Sequence, residues 1–391
     1  MHQVVKLGEI VEKATGSRNP TKTPNDNFIY VDVAALDNTE KAIVGARSIL
    51  GADAPSRARK LICSGDILVS TVRPNLNAVA LVPADLDGQV ASTGYCVLRA
   101  TDKVLPEYLF YFARSRQFVD GLCSLVAGAL YPSVTDSQVL EQSLPLPPIS
   151  EQRRIVDILS RAEGIVRLRR EAEKKAAELI PALFSDMFGD PATNPKEWPE
   201  HRLGDIAEVV SGVTKGRKFG DKQTVVVPYL RVANVQAGHV DLTELKTIEV
   251  LPRDVAQLAL QQGDVVMTEG GDFDKLGRGA LWEQDIPGCI HQNHIFRVRL
   301  NQSLALPEFF VTYLLSGKTR EYFIRCAKRT TNLASINMTQ LRGLPVVLPS
   351  IDVQHDFVER FSAMRSIQSQ QSAATATAQA TFDALLAQVF H

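Results

Sequence analysis

Two stretches of this chain carry the same spacing of apolar residues. In the first, Ile155, Ile158, Ala162, Ile165, Ala172, Ala176, Leu179 and Leu183 recur at the heptad interval, with Arg169 at one level and charged residues between. In the second, Phe357, Met364, Ile367, Ala374, Ala378 and Leu385 repeat that interval, with Arg360, Gln371 and Thr381 at the remaining levels. The pattern predicts two long helices, Ser150–Phe188 and Asp352–Phe390, each offering a seam to another helix. Both follow a proline brake (Leu144–Pro148, and Pro349), and both close on Leu-x-x-x-x-Phe. Pro181 predicts a kink or an early end in the first helix, because its ring clashes with the preceding turn. The second has no proline there.

The segments before the helices read as strands and short helices, and they match each other. Leu7-Gly8-Glu9-Ile10 answers to Leu203-Gly204-Asp205-Ile206. Ser64-Gly65-Asp66-Ile67 answers to Gln262-Gly263-Asp264-Val265, a turn feeding an apolar strand in each case. Leu105-Pro106-Glu107-Tyr108 answers to Leu306-Pro307-Glu308-Phe309, a helix start with proline in its first turn. After the strands Ile67–Ser70 and Val265–Thr268 the halves part: Thr71–Asn77 reads TVRPNLN, whereas Glu269–Arg278 reads EGGDFDKLGR. The proline-rich Phe188–Glu200 between them is a linker. An internal repeat of this kind means a duplicated chain.

Composition narrows the class. At 391 residues and 45% hydrophobic, each half can build a core. No apolar run is long enough to span a membrane. The cysteines number five, none spaced as Cys-x-x-Cys, which predicts reduced thiols, a cytoplasmic setting and no zinc site built on paired cysteines. A formal net charge of −1 confines any nucleic-acid surface to local patches and predicts weak DNA binding by the isolated chain.

Leu146-Pro147-Pro148-Ile149-Ser150-Glu151-Gln152-Arg153-Arg154-Ile155-Val156-Asp157-Ile158-Leu159, the linker Phe188–Pro199, and Leu203–Gly212 together resemble the specificity subunit of type I restriction–modification systems. The resemblance covers essentially the whole chain. It implies an α+β protein with two α/β target recognition domains separated by two long antiparallel coiled-coil helices, related by an internal pseudo-two-fold repeat. The implied boundaries are 1–148 for the first recognition domain, 149–189 for the first spacer helix, 190–348 for the linker and second domain, and 349–391 for the second helix. Each half would read one part of a split, asymmetric double-stranded DNA target, with the helices setting the unread gap. Two methyltransferase subunits would dock on the helices, at Glu151, Gln152, Arg153 and Gln354, and two restriction/translocase subunits would join them. No cofactor is expected on this chain; S-adenosylmethionine, ATP and magnesium would sit on the partners. Val353 stands where the first helix has Glu151, a departure bearing on equal docking at the two helices. A split-site methyltransferase system without a nuclease, and a duplicated protein-binding adaptor, stay open beside this reading.

Candidate DNA-reading residues are those in matching slots that differ between halves. Arg73, Asn75 and Asn77 face Lys275 and Arg278; Arg18 and Asn19, beside Ser17, face Lys215, Arg217 and Lys218. Arginine forks onto guanine and asparagine onto adenine in the major groove, while lysine grips phosphate. Thr330–Asn332 and Tyr131–Ser133 are expected to shape return turns. Enzymatic alternatives fail on spacing. Asn19-Pro20-Thr21 and Asn194-Pro195-Lys196 stop one proline short of a flipped-base motif, and Gly317-Lys318-Thr319 lacks its upstream glycine. Asp272, Asp274 and Lys275 resemble a nuclease cluster with no counterpart in the first half. Cys289, His291 and His294 are clustered, but on a strand His291 and His294 point to opposite faces, unsuited to sharing a metal.

Overall fold

The computed structural model describes residues 3–12, 16–126, 132–271, 276–329 and 334–390. The chain packs as two compact units. One comprises Met1–Glu171 with Ala373–His391, and the other Ala172–Ser372. The chain's last helical turns therefore belong to the unit built by its first half.

In the first unit, Tyr95–Leu98, Ile67–Ser70 and Val79–Leu81 form an antiparallel sheet, each strand almost wholly buried. A second sheet orders Arg47–Leu50, Asn27–Val31, Val90–Ser92 and Ala58–Leu61, with a parallel pairing of Tyr30 with Val90 and Val31 with Ala91. Gln3–Lys6 pairs with Ser143–Leu146, so the chain closes on itself just before its long helix.

The second unit repeats these devices. Ala207–Ser211, Ile295–Leu300, Val265–Thr268 and Gly279–Leu281 make the equivalent sheet. Tyr229 pairs in parallel with Ile290, and Glu200–Arg202 pairs with Pro345–Val347. The matched turns work alike. Gly65 and Gly263 take φ of 86° and 89°, a left-handed setting that favours glycine. The following aspartates, Asp66 and Asp264, are 1% exposed. Asp66 accepts from Arg99 Nε and Nη2 at 2.8 Å and from the Cys63 amide at 2.7 Å. Asp264 accepts from Arg299 at 2.7 and 2.8 Å and from the Gln261 amide at 2.8 Å. A buried carboxylate is tolerated only with such forked pairing, so both members of each pair must be kept together.

The long helices start on a second shared device. Gln152 is fully buried; its Oε1 accepts from the Leu105 amide and its Nε2 donates to the Lys103 and Pro147 carbonyls. Gln354 does the same with Leu306, Leu304 and Pro349. Each glutamine rivets a helix to its own globular half.

The first helix runs Ile149–Ala177, breaks at Glu178 and resumes as Leu179–Phe188, so Pro181 interrupts rather than ends it. The second runs Ile351–Val389 unbroken. The expected seam is rotated on both. Ile158 and Ile165 are 39% and 54% exposed, whereas Leu159 and Val166 are 0% and 5%. On the second helix Arg360 and Thr381 are exposed and Phe361 and Phe382 buried. The cause is that each helix packs on its globular core as well as on a helix, which moves the buried face by one residue at alternate levels.

Aromatic rings seat the helix ends. In the second unit Phe188 lies 5.0 Å from Phe309 and 5.2 Å from Phe357. In the first, Phe390 lies 5.2 Å from Tyr108 and 5.6 Å from Phe112. Tyr108 and Phe309 are the matched first-turn aromatics of the repeat.

Candidate nucleic-acid interface

The first divergent loop leaves the sheet at Thr71, whose amide and Oγ1 both donate to the Gly94 carbonyl, at 2.9 and 3.0 Å. Arg73 and Asn77 bracket one short turn, Pro74–Leu76, with φ of 52° and 47°. Two non-glycine residues in left-handed backbone hold this turn in a shape that a free chain would avoid. Arg73 and Asn75 are exposed on it. Asn77 instead turns inward, its Nδ2 donating to the Arg114 carbonyl at 3.1 Å while its own carbonyl accepts from Lys41. It therefore closes the loop instead of presenting a side chain.

The second loop leaves from Glu269, whose amide donates to the His294 carbonyl at 2.9 Å, the same bond one repeat later. Gly270 pairs with Ser335, and a Cβ on it would stand 2.8 Å from the Ala334 carbonyl oxygen. Lys275, with Asp272 and Asp274, lies outside the described residues, as do Tyr131 and Thr330–Asn332. Arg278 returns to the sheet half-buried, its Nη1 donating to Gln236 at 2.9 Å.

The two basic strips differ in how far they are tied down. Arg18 lies 5.9 Å over the Phe28 ring, and Asn19 caps the short turn Pro20–Lys22 through Thr21. Lys215 and Lys218 are exposed, but Arg217 donates to Asp254 at 2.9 Å beside the Phe219 ring. The first strip is anchored to the four-stranded sheet by a Ser17–Lys60 bridge. The second is anchored to the other loop's neighbourhood: Val213 bridges Gln292, the Asn293 amide donates to Val213, and Ser211 Oγ donates to the Asn293 carbonyl at 2.8 Å.

That last connection involves residues outside the candidate set. His294 Nδ1 is 2.6 Å from Glu269 Oε2, and its Nε2 is 3.5 Å from Asn293 Nδ2. The available sequence signal was the replacement of Thr71 and Gly94 by Glu269 and His294 at matched positions. His291 is a different case: fully buried, with Nδ1 2.9 Å from the Ile295 carbonyl oxygen, and burial pushes its pKa down to about 4. Among the described residues no three potential ligands cluster around a common point. Gly317-Lys318-Thr319 opens the helix Gly317–Cys326, where Thr319 is buried and Lys318 pairs with Glu200.

Of the four docking residues, Gln152 and Gln354 require correction. Both are spent on the internal rivets and expose no surface to a partner. Glu151 pairs with Arg154 at 2.7 Å, and Arg153 is exposed.

The family described as "Type I restriction modification DNA specificity domain" matches the chain twice, over residues 2–178 and 195–375. The chain belongs to that family. Its relatives include the type I restriction enzyme EcoKI specificity subunit of Escherichia coli K12, 24% identical over 311 residues, which are 75% of this chain and 67% of that one. The MjaIX specificity subunit of Methanocaldococcus jannaschii is 22% identical over 385 residues, 90% of this chain and 84% of the relative. A solved chain from "Structural basis underlying complex assembly and conformational transition of the type I R-M system" is 30% identical, with a TM-score of 0.65 across 99% of this chain and 97% of that one. As a specificity subunit the chain serves DNA sequence recognition, a non-catalytic role. The double match restates the duplication, and residues 179–194 between the matches hold Pro181 and the start of the linker. No helix among the described residues is long and apolar enough to cross a membrane.

Proposed function

We propose that each half of this specificity subunit reads one part of an asymmetric, split DNA target, and that the two long helices run antiparallel as a coiled coil that sets the unread gap. The carrying observation is a shared skeleton with unlike loops. The aspartate–arginine forks and glutamine rivets are the same in both halves, whereas Arg73 and Asn75 occupy one divergent loop and Arg278 the other. A common scaffold bearing different side chains at one slot is what reading two different half-sites requires. Pairing of Arg170 with Gln379 in the first unit, and of Gln368 with the Ala176 carbonyl in the second, supports helices running in opposite directions.

Chemistry then belongs to other chains. Two methyltransferase subunits, carrying S-adenosylmethionine, dock on the exposed helix faces near Glu151 and Arg153 and modify adenine at N6. Restriction/translocase subunits bring ATP and magnesium, and the assembly works in the cytoplasm. Of the residues proposed to meet DNA, Arg18, Asn19, Arg73, Asn75, Lys215, Arg217, Lys218, Lys275 and Arg278 remain in this reading; Asn77 is kept as the residue closing its loop.

Mapping adenine methylation genome-wide in cells expressing the chain with its methyltransferase subunit tests this. Two unlike half-sites separated by a constant gap are expected; a continuous or palindromic site overturns the reading.

A further inference from the structure

At one step of the repeat the two halves make the same backbone bond with opposite side-chain chemistry. In the first half Thr71 Oγ1 donates to the Gly94 carbonyl, and Thr71 is 8% exposed. In the second half that step carries Glu269 and His294, whose side chains are 32% and 58% exposed and meet at 2.6 Å. An exposed side-chain pair of this kind adds little stability, and the first half closes the step without one. Folding therefore gives no reason for the pair here.

The backbone under the pair is unusually well held. The Asn293 amide donates to Val213 at 2.9 Å, Ser211 Oγ donates to the Asn293 carbonyl at 2.8 Å, and the Glu269 carbonyl accepts from the Ile336 amide at 2.8 Å. Asn293 Nδ2 stands 3.5 Å from His294 Nε2, so three polar side chains follow one another across the root of the divergent loop. The same residues anchor the strip that leads to Lys215 and Lys218. Among the described residues of the first half, the strip attaches elsewhere, through the Ser17–Lys60 bridge.

We propose that Asn293, His294 and Glu269 form a base-reading element of the second half, with Glu269 accepting from the exocyclic amino group of adenine or cytosine. A carboxylate repels phosphate and can only accept, so the donors it fits in a major groove are adenine N6 and cytosine N4. His294 holds the carboxylate in place through Nδ1. Asn293 adds a second group of the kind that pairs with adenine. The proposal rests on the split-site reading above and adds a determinant that the first half lacks.

The test compares Glu269→Gln and His294→Gly, the latter restoring the first half's residue, by methylation mapping. It also measures binding of the assembled complex to duplexes permuted at each position of the second half-site. The expected result is a loss of preference of about tenfold at one position of that half-site, with the first half-site and the gap unchanged. An unchanged second half-site in both variants overturns the proposal. If Arg278→Ala alters that half-site while these two variants do not, only this element falls. If the unmodified chain gives no two-part target, the split-site reading falls with it.

Discussion

Arg114 and Leu315 occupy the same step of the repeat, each directly before the serine that caps the next helix. Arg114 is caged by Phe110, Tyr111 and Phe382 at 4.8, 5.3 and 5.0 Å and pairs with Glu163 at 2.6 Å. Leu315 is 58% exposed beside Ile180 and Arg365, in a cleft of about 600 Å³ lined mainly by apolar and small residues. The matching cleft around Arg114, about 680 Å³, is lined by Lys41, Arg167, Arg170, Glu40 and Asp383. The seats of Phe188 and Phe390, by contrast, hardly differ. Positions that fix how a helix end enters a globular core are held; positions facing a cleft have gone separate ways. Duplication supplied one frame, and divergence acted where the frame does not depend on the side chain.

The strongest way to break this comparison is at the shared seats. Phe188→Ala and Phe390→Ala should each cost about 3–5 kcal/mol, because both rings are almost fully buried among other aromatics. Urea unfolding would check it, and a large cost for only one of them would mean that the seats are not equivalent.

Acid should separate the halves. His291 is buried and neutral in the fold, with its pKa lowered from 6.5 to about 4 by burial, and the first half has Ala91 at that level. The unfolded chain binds a proton there that the folded chain refuses. This contribution is therefore intact above pH 6.5 and is lost as pH falls from 6.5 towards 4, by about 3 kcal/mol. His291→Ala should flatten the stability–pH curve across that window by one proton. An unaltered slope would show that His291 protonates freely in the fold.

A smaller effect tests the clefts. Arg114→Leu, which copies the second half, should cost about 2 kcal/mol through its lost ring contacts and its lost pairing with Glu163, which keeps only the Tyr111 hydroxyl, measured by thermal melting. The smallest is expected on the loop. Arg73→Ala should leave stability within about 0.5 kcal/mol while weakening binding of the assembled complex to its target. A loss of stability comparable to Arg114→Leu would make Arg73 a structural residue.

The parts of this architecture open to reading from sequence were those written in local spacing. The heptad interval, the proline brakes and the Gly-Asp turns each depend on neighbours a few residues away, and they mark the duplication and both long helices. The seam's true face was hidden, because Leu159 and Val166 are drawn inward by a core whose members lie far along the chain. Gln152 and Gln354 sit in a charged run and read as surface until their amides are seen to close backbone groups nearly fifty residues upstream (Leu105, Leu306). Glu269 and His294 lie 25 residues apart. Each alone is an ordinary polar residue, and only the sheet register joins them.

The two helices are claimed to measure distance, and that claim can be read directly. A seven-residue helical insertion after Glu171 and another after Ser372 preserve each buried face and lengthen both rods by about 10 Å. Methylation mapping should then return both original half-sites with the gap wider by about three base pairs, taking about 3.4 Å per pair. An unchanged gap in a complex that still modifies DNA would contradict the account.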